Sequence, residues 1–307
     1  MNRMPVILDG DPGHDDAIAW MLAAVSPELE IRAVTTVAGN KDIENVTKNA
    51  LSICSLFGID APVARGAHGP LVAAPVTAGN FHGETGLDGA ELPPPGIRLS
   101  GYSAVELMAR VLEQSGEPVT IIGTGAETNL AALLLWRPEL KKKIRAFYIM
   151  GGGIETGNWV PAAEFNILVD PEAADIVFSS GIPVVMAGLD VTEKALVYPE
   201  DVERIRAAGS RVSAIVAGWL DFFGKTHAAM GYKGWPLHDP CAVMALTHPE
   251  LFDMRDACVR IETGGMYTRG RTLADFEAAE SFNAKVLLSV DRRAFVDELV
   301  KAVRVYR

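Results

Sequence analysis

Cysteine is scarce in this chain: Cys54, Cys241 and Cys258 are the only three in 307 residues. They lie far apart and form no C-x-x-C pair, which excludes a disulfide framework and a cysteine zinc site and points to a reducing, cytoplasmic setting. Long apolar runs are missing, so no segment reads as a membrane span. The first aspartate arrives at position 9, too early to leave room for a signal peptide's apolar region. Positive charge is in deficit: 28 Lys and Arg against 39 Asp and Glu give a formal net charge of −11. That balance argues against a broad nucleic-acid or acidic-membrane surface. The H-E-x-x-H and G-x-S-x-G patterns are absent, and no Gly-rich turn completes a dinucleotide or phosphate-loop motif. No repeat or low-complexity linker divides the chain, and 49% hydrophobic residues suffice for a substantial core. A single domain over residues 1–307 is expected.

What the chain does have is a crowd of carboxylates. Asp9, Asp11, Asp15 and Asp16 fall within Val6-Ile7-Leu8-Asp9-Gly10-Asp11-Pro12-Gly13-His14-Asp15-Asp16, with no Lys or Arg among them. Carboxylates about 5 Å apart repel by roughly 3 kcal/mol per pair at an effective dielectric near 20. A fold tolerates this only if a cation or shared protons neutralise the group. The apolar run before it reads as a buried strand, and Pro12 and Gly13 break the chain before an apolar helix. The aspartates therefore sit at the carboxyl end of a strand, where open α/β sheets hold ligands. A hard-cation site for Ca²⁺ or Mg²⁺ is the leading inference. Helix capping would account for Asp15 and Asp16, but for neither Asp9 nor Asp11.

Apolar strand-like runs at 5–8, 31–37, 119–122, 146–150 and 183–187 alternate with helical patterns at 17–25, 45–57, 104–114, 130–136 and 172–179. The alternation predicts an α/β fold, a mainly parallel open sheet flanked by helices. Two late strands, 257–262 and 285–289, precede a C-terminal helix. Residues 66–101 lack periodicity and suit a site wall. Residues 199–248 read as mostly helical, with an irregular break over 224–238. Polar or Gly-rich features follow each of the first five strands: the aspartates, Gly39-Asn40, Gly123-Thr124-Gly125, Gly151-Gly152-Gly153 with Asn158, Glu164 and Asn166, and Gly188-Leu189-Asp190. Five such placements define one rim. Asp239, before Pro240, reads equally well as a plain N-cap. His238 and His82 have structural and functional readings alike, and Trp159 and Trp235 suit core or pocket walls.

These segments together resemble the inosine-uridine-preferring nucleoside hydrolase family, in the look of its bacterial pyrimidine-preferring members. The likeness rests on Asp9-Gly10-Asp11-Pro12-Gly13-His14-Asp15-Asp16-Ala17, Thr35-Thr36-Val37-Ala38-Gly39-Asn40, Asn80-Phe81-His82-Gly83-Glu84-Thr85-Gly86-Leu87, Met150-Gly151-Gly152-Gly153, the 157–166 stretch and Leu237-His238-Asp239-Pro240. It implies a Rossmann-like fold and cleavage of the N-glycosidic bond of a small-molecule ribonucleoside with Ca²⁺, in nucleoside salvage. By position, Asp11, Asp16, Asp239 and the Thr124 carbonyl would hold the Ca²⁺, and Asp11 would also be the general base toward water. Asp15, Asn40, Asn158, Glu164 and Asn166 would bind ribose. His238, and His82 as a second candidate, would assist the leaving base. Family members are commonly homo-oligomers, so a tetramer or dimer is expected, with no nucleic-acid or membrane partner. Gly10 departs from the Cys or Thr of many members, and 224–236, which helps form the family's base pocket, matches no subgroup. A Mg²⁺ phosphohydrolase with an Asp-x-Asp nucleophile and a non-catalytic nucleoside sensor are the alternatives.

Overall fold

The computed structural model describes residues 3–79, 81–278 and 281–306; Asn80, which opens the 80–87 motif, lies outside them. In chain order the elements are β1 (Met4–Gly10), α1 (His14–Val25), β2 (Leu29–Thr36), α2 (Ile43–Phe57), β3 (Val63–Arg65), α3 (Ala104–Gln114), β4 (Val119–Gly123) and α4 (Thr128–Trp136). There follow β5 (Ile144–Met150), α5 (Phe165–Val169), α6 (Pro171–Phe178), β6 (Val184–Ala187), α7 (Leu189–Thr192), β7 (Leu196–Val197), α8 (Pro199–Arg206) and α9 (Arg211–Ala229). The chain closes with β8 (Trp235–Pro236), α10 (Asp239–Thr247), β9 (Phe252–Ile261), β10 (Thr272–Asp275), β11 (Ala284–Val290) and α11 (Arg292–Val303).

Nine strands make one sheet in the order β10-β9-β11-β6-β5-β4-β1-β2-β3. From β11 to β3 all neighbours are parallel; β9 and β10 add an antiparallel edge. The stretch β3-β2-β1-β4-β5-β6 is the doubly wound order, whose connections diverge between β1 and β4 and open a crevice there. Val6, Ile7 and Leu8 are fully buried, as a strand covered on both faces requires. Successive side chains point to opposite faces: Val6 and Leu8 join the layer with Trp20, Trp219 and Phe295, while Ile7 joins Leu130, Phe147 and Val177. Each such side chain contributes about 1.5–3 kcal/mol on burial, so the strand end that carries the aspartates is firmly held.

Three local expectations need correcting. The break read at 224–238 starts too early, because α9 continues to Ala229. Gly224 is there for packing: a Cβ would lie 2.8 Å from the Trp235 ring, which takes Trp235 into the core. Asp239 is not a plain N-cap either. His238 occupies that position, Asp239 is the first helical residue, and its carboxylate faces the cluster described below. The short strands β3 and β10 are absent from the sequence reading, since three and four residues are too few to show alternation. No helix among the described residues is long and apolar enough to cross a membrane.

Candidate active site

The aspartate run divides once folded. Asp9 turns into the sheet, where its Oδ1 accepts bonds from Thr35 Oγ1 (2.5 Å) and Asn129 Nδ2 (2.8 Å), tying β1 to β2 and α4. Asp15 and Asp16, on the first turn of α1, meet Asp239 at the start of α10. One oxygen of each lies within 4.8 Å of the others, and all three residues are buried. The Gly13 amide donates to Asp16 Oδ2 (2.9 Å), so capping is part of that residue's role. Thr124 Oγ1 donates to Asp16 Oδ1 (2.6 Å). Gly10 makes that bond possible, since a Cβ there would stand 2.3 Å from the Thr124 hydroxyl. Asp11 accepts the Asn40 amide at 2.6 Å on Oδ2, while its Oδ1 is buried without a partner.

Burial lifts Asp15 to about 7 and Asp16 to about 6, and it holds Asp11 and Asp239 well above the carboxylate range, with neighbouring aspartates adding to the effect at Asp11, Asp15 and Asp239. Such a group either shares protons or takes a cation. Its donors are all oxygens, and among the described residues one of these has no partner and no Lys or Arg lines the adjoining cavity. The residues fit a hard divalent ion.

Above this floor lies a cavity of about 520 Å³. Asp15, Asn40, His82, Thr124, Asn158, Glu164, Asn166, His238 and Asp239 are among the residues that line it, and Asp11 and Asp16 connect to that lining through Asn40 and Thr124. The polar wall is locked by its own backbone. Glu164 accepts the amides of Gly152 (2.9 Å), Asn166 (2.9 Å) and Ile167 (3.1 Å), and Asn166 Nδ2 donates to the carbonyls of Thr124 (3.2 Å) and Met150 (3.1 Å). Of the five strand-end features, four reach the cavity. The fifth supports it from behind: Asp190 accepts the amides of Ile154 (2.8 Å) and Glu155 (3.1 Å) and so fixes the loop after β5.

The rest of the lining is rich in histidine and aromatic rings. His238 Nδ1 is 2.8 Å from Thr192 Oγ1, and burial pushes the ring down to about 3. His82 is held well below the imidazole range by burial and by His14. His14, absent from the sequence candidates, donates from Nε2 to the Asp88 carbonyl (2.7 Å) and has its Nδ1 3.0 Å from His82 Nδ1. Sequence reasoning also missed Phe81, Glu193, Phe223, His227 and Tyr232, all of which line the cavity. The Phe223–His227 spacing, four residues on one helix face, would have been the signal had α9 been read to its end. Trp159 is a wall, as expected, its ring tilted against Phe165 with centroids 4.9 Å apart.

An oxygen-only floor that fits a metal thus lies at the switch point of a doubly wound sheet, beside a cavity with polar and aromatic lining. The sequence profile of the inosine-uridine preferring nucleoside hydrolase family matches residues 6–297, and the chain belongs to that family. It is 52% identical to the Escherichia coli protein named pyrimidine-specific ribonucleoside hydrolase RihA, over 99% of both chains. The protein of the same name from Salmonella typhimurium is 51% identical, also over 99% of both. The solved purine-preferring ribonucleoside hydrolase from Gardnerella vaginalis superposes with a TM-score of 0.92 at 32% identity, covering 98% of each chain. An inosine-guanosine nucleoside hydrolase gives 0.90 at 28% identity, over 99% of this chain and all of the other.

Proposed function

We propose that the protein hydrolyses the N-glycosidic bond of ribonucleosides, pyrimidine ribonucleosides above purine ones, to ribose and free base. The observation that carries this reading is the continuity of one cavity from a carboxylate floor, past a wall of amides and acceptors, to an end built of uncharged histidines and aromatic rings. The names of the 52%-identical relatives support the pyrimidine preference.

Asp11, Asp16, Asp239 and the Thr124 carbonyl would hold Ca²⁺, which when bound would orient water and the ribose diol and acidify them weakly. Asp11 then has a chemical task of its own. Its unpartnered Oδ1 and raised proton affinity suit it to take a proton from the attacking water. Asp15, Asn40, Asn158, Glu164 and Asn166 bind the ribose hydroxyls, and the buried carboxylates stabilise the positive charge that develops on the sugar ring. At the far end, with the Thr192 hydroxyl as donor to His238 Nδ1, the ring's N–H would stand on Nε2 and hydrogen-bond the departing base, stabilising its charge; His82 is the second candidate for that assistance. The absence of Lys and Arg from the lining disfavours a phosphohydrolase, and the free oxygen of Asp11 favours turnover over mere sensing. The reading extends to one catalytic domain, working as a homodimer or homotetramer in cytoplasmic nucleoside salvage.

Free ribose measured across uridine, cytidine, inosine and their 2′-deoxy counterparts, with and without chelator, tests it. Ribose release from ribonucleosides should stop on chelation and return with Ca²⁺. Loss of the 2′-hydroxyl should lower kcat/KM by about 10⁴- to 10⁵-fold, because the polar groups built for it are left unpaired. Comparable rates on uridine and 2′-deoxyuridine would sink the diol contact.

A further inference from the structure

We infer that Glu193, with His227 beside it, reads the exocyclic amine of the base, so that cytidine is preferred to uridine. This deepens the hydrolase reading and rests on it. Glu193 follows directly on Thr192, whose hydroxyl meets His238, and both Glu193 and His238 line the cavity. The carboxylate therefore shares the cavity with the histidine proposed to assist the departing base. Its one hydrogen-bond donor is the Tyr232 hydroxyl at 3.5 Å, and no cation pairs with it among the described residues.

His227 reinforces the same polarity. Its Nδ1 lies 2.9 Å from the Phe223 carbonyl, which can only accept, so Nδ1 carries the proton. The ring is buried among Phe81, Phe223 and Tyr232, with centroids 5.2, 4.3 and 5.3 Å away, surroundings that favour the uncharged form. The second nitrogen, Nε2, is then a lone pair. The Tyr232 hydroxyl, the nearest donor, is already turned to Glu193. Glu193 and His227 Nε2 thus offer the cavity two acceptors.

Cytosine presents two N–H bonds from its 4-amino group, enough to satisfy both acceptors. Uracil puts a carbonyl oxygen at that position and leaves a single ring N–H. Uridine thus loses a charge-assisted hydrogen bond and sets two acceptors against each other, a difference of about 10- to 100-fold in kcat/KM. The preference follows from the lone pairs on the wall and needs no change in the sugar site.

Steady-state kcat/KM for cytidine, uridine and N4,N4-dimethylcytidine on the Ca²⁺-loaded protein tests this, with the Glu193→Gln variant alongside. Cytidine should exceed uridine by about tenfold or more, and N4,N4-dimethylcytidine, which has no N–H to give, should fall to the uridine level or below. In Glu193→Gln the side-chain amide can donate to the uracil oxygen, so the cytidine-to-uridine ratio should collapse to about one or invert. A ratio at or below one in the unaltered protein, or a ratio unmoved in a folded Glu193→Gln, overturns the assignment. If that variant fails to fold, the dimethylated substrate decides by itself, equal turnover with cytidine being the negative result. Ribose release from p-nitrophenyl riboside by the unaltered protein separates the two levels. Cleavage without an amine preference removes only the base-reading role, whereas no cleavage of any riboside removes the hydrolase reading as well.

Discussion

At the floor of the cavity, Asp11, Asp15 and Asp16 come from one short stretch at the end of β1 and the first turn of α1, and only Asp239 arrives from afar. At the base end, His82, Glu193, His227 and His238 come from a long loop, the end of α7, the last turn of α9 and the cap of α10. The floor is clamped by a central strand with neighbours on both sides. The histidine-rich lining hangs on helix termini and loops, and Met230 at the end of α9 is 59% exposed. On the proposed function, the sugar and metal chemistry would rest on the central strand, and base choice on loops and helix ends outside the sheet.

Asp11→Asn should break the floor for every substrate alike, with a loss of at least about 10²- to 10⁴-fold in kcat. Bound calcium must be measured in the same preparation. A variant that keeps its calcium and most of its kcat would show the base misassigned. His238→Ala should instead discriminate between substrates, slowing natural nucleosides by about 10²-fold and p-nitrophenyl riboside, whose leaving group needs no proton, far less. Equal losses on both would move His238 from leaving-group assistance to support of the ribose or the fold, and would leave His82 as the donor to test.

The smallest effect lies beneath the sugar wall. Both carboxyl oxygens of Glu127 are buried without a hydrogen-bond partner. Burial, with Glu164, Asp170 and Asp9 adding, holds the group well above its ordinary 4.5. The native state thus keeps a proton that the unfolded chain releases, so stability is greatest below about 4.5 and falls as pH rises toward the folded-state value. Glu127→Gln should reduce that decline by up to about 1.4 kcal/mol per pH unit. Urea melts of the calcium-loaded protein between pH 5 and 8 measure it, and an unchanged slope would mean that Glu127 is ionised in the fold.

Much of the floor was legible in the linear sequence because its parts are local. A run of apolar residues, a Pro-Gly break and four aspartates predict a strand, a turn and a cation-demanding cluster before any long-range contact is known. The strand ends at Asn40, Thr124 and Asn166 could be read in the same way, since a parallel sheet brings every carboxyl end to one edge. Asp9 shows the limit: its spacing matches Asp11, yet Thr35 and Asn129, from other elements, draw it into the sheet.

The sequence by itself determined the alternating α/β pattern, the sheet edge that bears the chemistry and the need for a cation, because periodicity and like-charge repulsion act between neighbours in the chain. Only the tertiary structure decided which aspartates meet Asp239, that Gly224 continues a helix against Trp235, that His14 meets His82, and that Glu193 and His227 line the cavity. Those outcomes depend on packing between segments remote in sequence, where burial and the nearest hydrogen-bond partner, more than residue type, set what a side chain can do.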